Sequence, residues 1–435
     1  VRKICGKDFI IDVRISGDEY SDGGLNLNDA IYVSKQLEKA GVDMLHVSGG
    51  TTIKRGSSIP APGTKMGSHS ALSAEIKKHV SIPVATVGRI TEPWLAEELL
   101  ENDKADICMI GRANLCEPEF CNKAQAGHEE DIRPCIGCLR CLNGIMFGKR
   151  VACTVNPSLE PENEDTITPA KETKNVLVIG GGPAGMEAAY VAAKRGHHVV
   201  VFEKEKKAGG QLNLACRAPF KQEISKWIVY LLQECDRYGA EIRYETEANA
   251  DVIKAENPDV VILATGAEPI VLPVEGKETM IQANDVLSGK VPILGGNAAI
   301  IGGGMVGIET AEYVLHHSRG AARAALIEMT DSIGQGMVPN NLVPTMARLR
   351  QENVQMITGA RVKKIDAGTI IADTKKGEMK YPGFTHVICA VGSKAWNPLY
   401  EEIKDTYETY VIGDAKEVAQ ALEAVRGAYE LGYRL

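Results

Sequence analysis

In the first 115 residues, apolar positions come in short blocks separated by segments with helical spacing. The blocks at 9–15, 42–47, 82–87 and 105–110 suit buried strands, and the periodic stretches 27–40 and 93–101 suit helices. Asn26 with Asp29 three residues on predicts a helix start, and Gly41 its end. Four β/α units therefore follow one another, so the fold class is α/β, built as a parallel barrel or an open parallel sheet. A (β/α)8 barrel needs eight such units. Only four are present, so a barrel truncated to about half is expected.

Farther along, residues 156–169 are rich in proline and acid and lack periodicity, which predicts a linker. From 174 onward the pattern repeats itself. The run Val176-Leu-Val-Ile-Gly-Gly-Gly-Pro-Ala-Gly, leading to Val-Phe-Glu203, recurs as Ala299-Ile-Ile-Gly-Gly-Gly-Met-Val-Gly, leading to Leu-Ile-Glu328. Each copy is followed by an apolar strand and a glycine turn, ending at Gly266 and Gly392. Two nucleotide-binding domains of one kind are implied.

In the first copy Gly180, Gly182 and Gly185 form Gly-x-Gly-x-x-Gly between a strand and an Ala-rich helix. The first glycine makes the tight turn, the second admits a pyrophosphate to backbone N–H groups, and the third lets helix and strand pack closely. Glu203, 18 residues past Gly185, is placed to accept the adenosine ribose hydroxyls. Gly302, Gly304, Gly307 and Glu328 repeat the arrangement. One site for FAD and one for NAD(P)H is the economical assignment. Met329-Thr330-Asp331 supplies no cation to meet the 2′-phosphate of NADPH, and Asp331 adds negative charge, so NADH is the expected donor.

The chain has 435 residues, 44% of them apolar, enough for about three domains. Its net charge of -8 is spread without a basic stripe, which argues against nucleic acid and an anionic membrane as partners and for a small-molecule substrate. No apolar run reaches the roughly 18 residues of a membrane span and no signal-peptide core is present, so a cytoplasmic location is expected. A homo-oligomer is compatible with the composition.

Eleven cysteines alter the picture, because four crowd into one loop as Cys135-x2-Cys138-x2-Cys141-x11-Cys153. Three thiols within seven residues and a fourth nearby suit a [4Fe-4S] cluster, whereas structural zinc more often takes two separated Cys-x2-Cys knuckles; unliganded thiols are the third alternative. Cys108 and Cys389 lie in apolar runs and are expected to be buried hydrophobes. NAD(P)H gives up a hydride and a cluster passes single electrons, so a cluster here calls for a flavin on each side.

The phrase Arg133-Pro-Cys-Ile-Gly-Cys138, followed by Val151-Ala-Cys-Thr-Val-Asn-Pro157, closely resembles the cluster loop of the 2,4-dienoyl-CoA reductase, 2-enoate reductase and trimethylamine dehydrogenase family. The family's usual spacing is Cys-x2-Cys-x3-Cys, so Cys141 stands one residue closer here. The resemblance spans essentially the whole chain. It implies residues 1–127 as strands five to eight of an FMN barrel of old-yellow-enzyme type, 128–157 as the [4Fe-4S] loop and 158–173 as a linker. It further implies an FAD domain of 174–285 with 391–435, interrupted by an NAD(P)H domain of 286–390. Half a barrel is expected to hold FMN weakly.

Carried over residue by residue, the resemblance gives Arg14 to the flavin N1 and C2 carbonyl, and Gly88, Arg89, Gly111 and Arg112 to the FMN phosphate. It gives Gly210, Gln211, Thr265, Gly266, Gly413 and Asp414 to FAD. Where the dienoyl-CoA reductases carry Trp-His-Glu, this chain has Gly50-Thr-Thr-Ile-Lys-Arg55, which leaves His46, Lys54, Arg55 and His69 as the candidates near the site, with a packing or solvent role the favoured alternative for each. No catalytic proton donor is assigned; the family's comes largely from the first barrel half. The implied activity is NADH-dependent reduction of the C=C bond of an α,β-unsaturated carbonyl compound, as in a 2-enoate or enone reductase. The electron order is NADH, FAD, [4Fe-4S], FMN, substrate. Two alternatives share the architecture: a desaturase running in reverse, as in bile-acid 3-oxo-4-desaturation, and a module that only passes electrons from NADH to a partner.

Overall fold

A computed structural model describes residues 1–51, 57–159 and 167–435. They divide into two bodies, one of Val1–Asn143 with Val338–Thr345 and the other of Gly144–Met337 with Met346–Leu435. Among the described residues no helix is long and apolar enough to cross a membrane.

In the first body, β1 (Asp12–Ser16), β2 (Met44–Ser48), β3 (Val84–Thr86) and β4 (Ile107–Cys108) form one parallel sheet in chain order. Strands laid down consecutively, with helices Leu27–Lys39, Ser70–Lys77 and Pro93–Glu101 between them, make an arc of a β/α barrel. Leu45, Val47 and Val84 meet Ala30, Leu72 and Ile76 from the helices in the buried core. The local signals at Asn26 are realised: its side chain accepts from the backbone of Asn28 and Asp29, and Asp29 accepts in return from Asn26 N at 3.0 Å. The strands are shorter than their apolar runs. β1 starts at Asp12, leaving Phe9 and Ile10 exposed, because among the described residues no neighbouring strand pairs with them.

The second body holds two parallel sheets of matching layout. The first has the order β19-β8-β5-β6-β7, with β5 (Asn175–Ile179), β6 (His198–Phe202), β7 (Glu241–Arg243), β8 (Val260–Leu263) and β19 (Glu408–Val411). The other has the order β10-β17-β11-β12-β13, with β10 (Met280–Gln282), β11 (Gly296–Ile301), β12 (Ala322–Ile327), β13 (Gln355–Ile357) and β17 (His386–Cys389). Val176 to Ile179 and Val260 to Leu263 are buried along their whole length, as strands covered on both faces must be, and that is why they appear in the sequence as unbroken apolar runs.

An antiparallel three-stranded sheet, β14 (Arg361–Asp366), β15 (Thr369–Thr374) and β16 (Gly377–Tyr381), is set between β13 and β17. Two short strands, β9 (Ala267–Pro269) and β18 (Ser393–Ala395), run side by side where the chain leaves the first sheet and returns to it. The first domain is thus discontinuous in sequence and continuous in space.

Candidate functional sites

The two glycine motifs form cradles of the same geometry. Gly180 and Gly302 make the turn at φ 109° and 111°. A Cβ on Gly185 or Gly307 would stand 1.9 Å from the carbonyl oxygen of Gly180 or Gly302, so only glycine allows the following helix to come this close. Above Gly182 and Gly304 a Cβ would meet nothing within 4 Å, so each loop's middle glycine is open where a pyrophosphate needs to approach. The helices that start there, Pro183–Lys194 and Met305–His317, bring their positive ends to these loops.

The carboxylates sit alike in both copies. Glu203 accepts from Gly181 N at 2.9 Å and Glu205 N at 2.8 Å, and Glu328 accepts from Gly303 N at 2.7 Å and Thr330 N at 2.8 Å. Each acid is fixed at the lip of its glycine loop, the place a ribose hydroxyl needs it. A second parallel escapes the sequence: Gly209 N donates to Gly181 O and Gly334 N donates to Gly303 O, both at 2.7 Å, so a glycine turn braces each cradle from the same side. Gly209-Gly210 stands out as a pair, whereas Gly334 lies in an unremarkable loop.

The two ends of the discontinuous domain close on the first cradle. Gln211 Nε2 donates to Asp414 Oδ2 at 3.4 Å, and Gly210 lies so near Gly182 that a Cβ would stand 3.1 Å from its Cα. Burial pushes the Asp414 carboxyl above the usual range, partly offset by the Ala419 N–H. A half-buried acid that gains from a hydroxyl partner fits the FAD contact that the resemblance implies for it, at the ribityl hydroxyls. Thr265 donates through its hydroxyl to Trp396 O, and Trp396 N to Gly266 O at 3.1 Å, tying the glycine turn to the returning strand. These residues fit an adenine dinucleotide in each cradle.

In the first body, Arg14 on β1 is in register with His46 on β2. Burial, then the Arg14 guanidinium, lowers the pKa of both His46 and His69, so both imidazoles are neutral near pH 7. Among the described residues, His46 Nε2, both ring nitrogens of His69, Ser68 Oγ and Thr86 Oγ1 are buried without a hydrogen-bond partner. Native proteins leave few such groups, and several together at one end of a β/α sheet fit a polar ligand such as a flavin. Gly88 is hemmed in by Ser68 and His69, at 2.5 and 2.9 Å from where its Cβ would lie, while Gly111 faces open space. Arg89, buried and left-handed at φ 56°, donates to Thr64 O. Lys54 and Arg55 lie outside the described residues, as do 160–166 of the expected linker.

Arg112 has a neighbourhood that its place in the sequence does not disclose. Its burial lowers its pKa, and the thiols of Cys135, Cys141 and Cys138 act in the opposite direction, raising it. A guanidinium facing three cysteines favours their thiolate form, the form that binds metal. Asn341, more than two hundred positions away, donates through Nδ2 to Cys138 O at 3.0 Å, and Leu139 is buried against Ala61 and Val338. These three cysteines belong to the first body and Cys153 to the second; all four are half-buried. The three thiols of the first body and their cation fit part of the ligand set of an iron-sulfur cluster. Cys389 is buried in its strand as expected, whereas Cys108, on the short β4, is only half-buried.

One expectation is corrected. Asp331 does not add unrelieved negative charge beside Glu328, because Lys375 Nζ lies 2.9 and 2.7 Å from its two carboxylate oxygens. The partner comes from the turn between β15 and β16, 44 positions on, where scanning the residues next to Glu328 could not find it.

Comparison with known proteins matches residues 1–131 to the NADH:flavin oxidoreductase / NADH oxidase family and residues 174–415 to pyridine nucleotide-disulphide oxidoreductase. The chain is 37% identical to an NADH oxidase of Thermoanaerobacter brockii, covering 100% of this chain and 68% of that one. It is 30% identical to a cinnamate reductase of Clostridium sporogenes, covering 99% and 67%. The solved structure of a 2-naphthoyl-CoA reductase in complex with 2-naphthoyl-CoA superposes with a TM-score of 0.94 at 28% identity, covering 100% of this chain and 66% of that one. The chain thus spans about two thirds of the length of these relatives.

Proposed function

Because the chain belongs to the 2-enoate reductase-type family of flavin oxidoreductases, in which an NADH:flavin oxidoreductase barrel precedes a pyridine nucleotide-disulphide oxidoreductase module, we propose that it uses NADH to reduce the C=C bond of an α,β-unsaturated carbonyl compound. The observation that carries the reading is the pair of like cradles in one body, each with a glycine loop and an anchored carboxylate: two dinucleotides in one chain are what an NADH-to-FAD relay requires. Cinnamate is a 2-enoate and 2-naphthoyl-CoA a conjugated thioester, so the relatives named for them support the substrate class.

When bound, FAD, the [4Fe-4S] cluster and FMN supply the passage from a hydride pair to single electrons and back to hydride. The chain's own residues do the holding. The Gly302–Gly307 loop and Glu328 position the dinucleotide, Gln211 and Asp414 close on FAD, and Arg112 offsets the charge of three cluster thiolates. Arg14 carries a fixed positive charge suited to the N1 side of a flavin, where negative charge gathers on reduction. His46 and His69, neutral at pH 7, serve there as hydrogen-bond partners and not as stored acids.

The test is anaerobic turnover by the full-length gene product with NADH and a panel of 2-enoates and enones, following NADH loss and the saturated product together. Equal amounts of each are expected. Turnover of dyes without any enoate or enone would overturn the substrate class, and oxidation of the saturated compound in preference would favour the desaturase direction.

Glu328 gives a second expectation. Its carboxylate accepts from ribose hydroxyls and opposes a 2′-phosphate, so Glu328→Ala should narrow the NADH over NADPH preference by about 10- to 100-fold in kcat/KM with a dye acceptor. Equal use of both nucleotides by the unaltered enzyme would remove this role.

A further inference from the structure

Glu328 is not the only charged group fixed beside the ribose end of the second cradle. The loop after β12 is held on both sides: Thr330 N binds Glu328, Thr330 O accepts from Gly359 N at 2.8 Å, and Glu328 O accepts from Ala360 N at 2.9 Å. Asp331, next along, is therefore carried at a set place three residues past the ribose-binding acid. Opposite it stands the tip of the β15–β16 hairpin. Thr374 pairs with Gly377, the Thr374 hydroxyl donates to Gly377 O at 2.9 Å, and Lys376 N donates to Thr374 Oγ1 at 3.1 Å. Only Lys375 and Lys376 lie between them, so a tight turn presents two cations, and Lys375 engages both oxygens of Asp331.

On the reading that the second cradle takes NAD(H), we propose that Lys375 is a latent 2′-phosphate ligand and that Asp331 keeps it occupied. Dinucleotide choice is then set by the Asp331–Lys375 pair together with Glu328. The side chains are 73% and 80% exposed, so the pair adds little to fold stability and its two members are readily parted. What it controls is local charge. With Asp331 present, an incoming 2′-phosphate meets a carboxylate and a lysine already engaged. Without Asp331, it meets Lys375 unengaged, with Lys376 on the same turn, and phosphate is a stronger acceptor for an ammonium group than an exposed carboxylate. The antiparallel insert thereby has a role beyond covering the sheet: it brings a specificity residue to a site whose glycine motif lies some 70 residues earlier.

The experiment compares the unaltered holoenzyme with Asp331→Ala, Lys375→Ala and the double variant. Two readouts are taken: dissociation constants for NADP+ and NAD+ by direct titration, and the NADPH to NADH ratio of kcat/KM with a dye acceptor. Asp331→Ala should tighten NADP+ relative to NAD+ by about tenfold when Lys375 is present and by less than about twofold when it is alanine. The gain should also shrink between low salt and about 0.5 M salt, because both groups are exposed. A gain of the same size in the double variant, or no gain in the single one, overturns the proposal. So does a fall in thermal stability with no change of ratio, which would make the pair a hairpin anchor alone. If the unaltered enzyme binds neither dinucleotide, the cradle assignment itself fails, a result distinct from a failed charge swap.

Discussion

Gly307→Val should lower NADH-dependent dye reduction by more than about 100-fold while FAD content stays at one per chain. The cause is steric and has no soft way out. A Cβ at 307 would lie 1.9 Å from Gly302 O, and Gly302 cannot retreat, since the space behind it is filled by Ala390 O, 2.3 Å from where its own Cβ would be. Either the helix Met305–His317 lifts away from the loop or the loop loses its turn at φ 111°, and in both cases the N–H groups that face a pyrophosphate are displaced. The same change at Gly185, where the contact with Gly180 O is also 1.9 Å, should instead strip FAD from the protein. FAD released on denaturation, dinucleotide titration and steady-state rates separate the two outcomes. Activity within fivefold of normal in Gly307→Val would show that the second cradle is not where NADH binds.

Cys138→Ser is expected to lower iron and sulfide from about four of each per chain and to reduce NADH-driven enoate turnover by at least about 1000-fold, while dye reduction through FAD continues. On the proposed electron order this loss follows from the topology of charge transfer: without the relay, the two flavins would have no single-electron link. Metal and sulfide analysis on anaerobically purified protein, with both assays run side by side, checks it. Zinc in place of iron, or undiminished enoate turnover by the variant, would end the relay scheme. Asn341→Ala should cause a smaller loss, because it removes only the hydrogen bond to the Cys138 carbonyl.

What was legible in the sequence is local. A strand, a glycine turn, a helix and an acid at the end of the next strand sit within about 30 residues, so the cradles could be laid out from spacing alone. The Asn26–Asp29 capping box likewise needs only four consecutive residues. The antiparallel insert, the brace at Gly334 and the β9–β18 pair are harder, since short strands of mixed polarity give almost no periodic signal. The contacts of Asn341 with Cys138 and of Lys375 with Asp331 join residues that no motif associates. Arg112 shows the limit from the other side. The resemblance gives it to a phosphate, and the structure adds charged neighbours that its place after β4 does not disclose: Cys135 and Cys141 of the loop that follows, then Arg89 and Cys138.

The interrupted first domain has a bearing on how the protein is made. β19 pairs with β8 from Glu408↔Val260 to Val411↔Leu263, so the first sheet waits for a strand that leaves the ribosome after everything in the second. The second sheet is complete once Cys389 has emerged, 22 residues ahead of Val411. At synthesis rates of about 5 to 20 residues per second, the second sheet can close seconds before the first does. If the first cradle takes FAD as proposed, its capture follows closure of the second sheet, because Gly413, Asp414 and the helix Ala421–Arg434 come after that sheet in the chain, and a nascent chain broken off just past Cys389 would keep an intact first glycine motif and still bind no FAD.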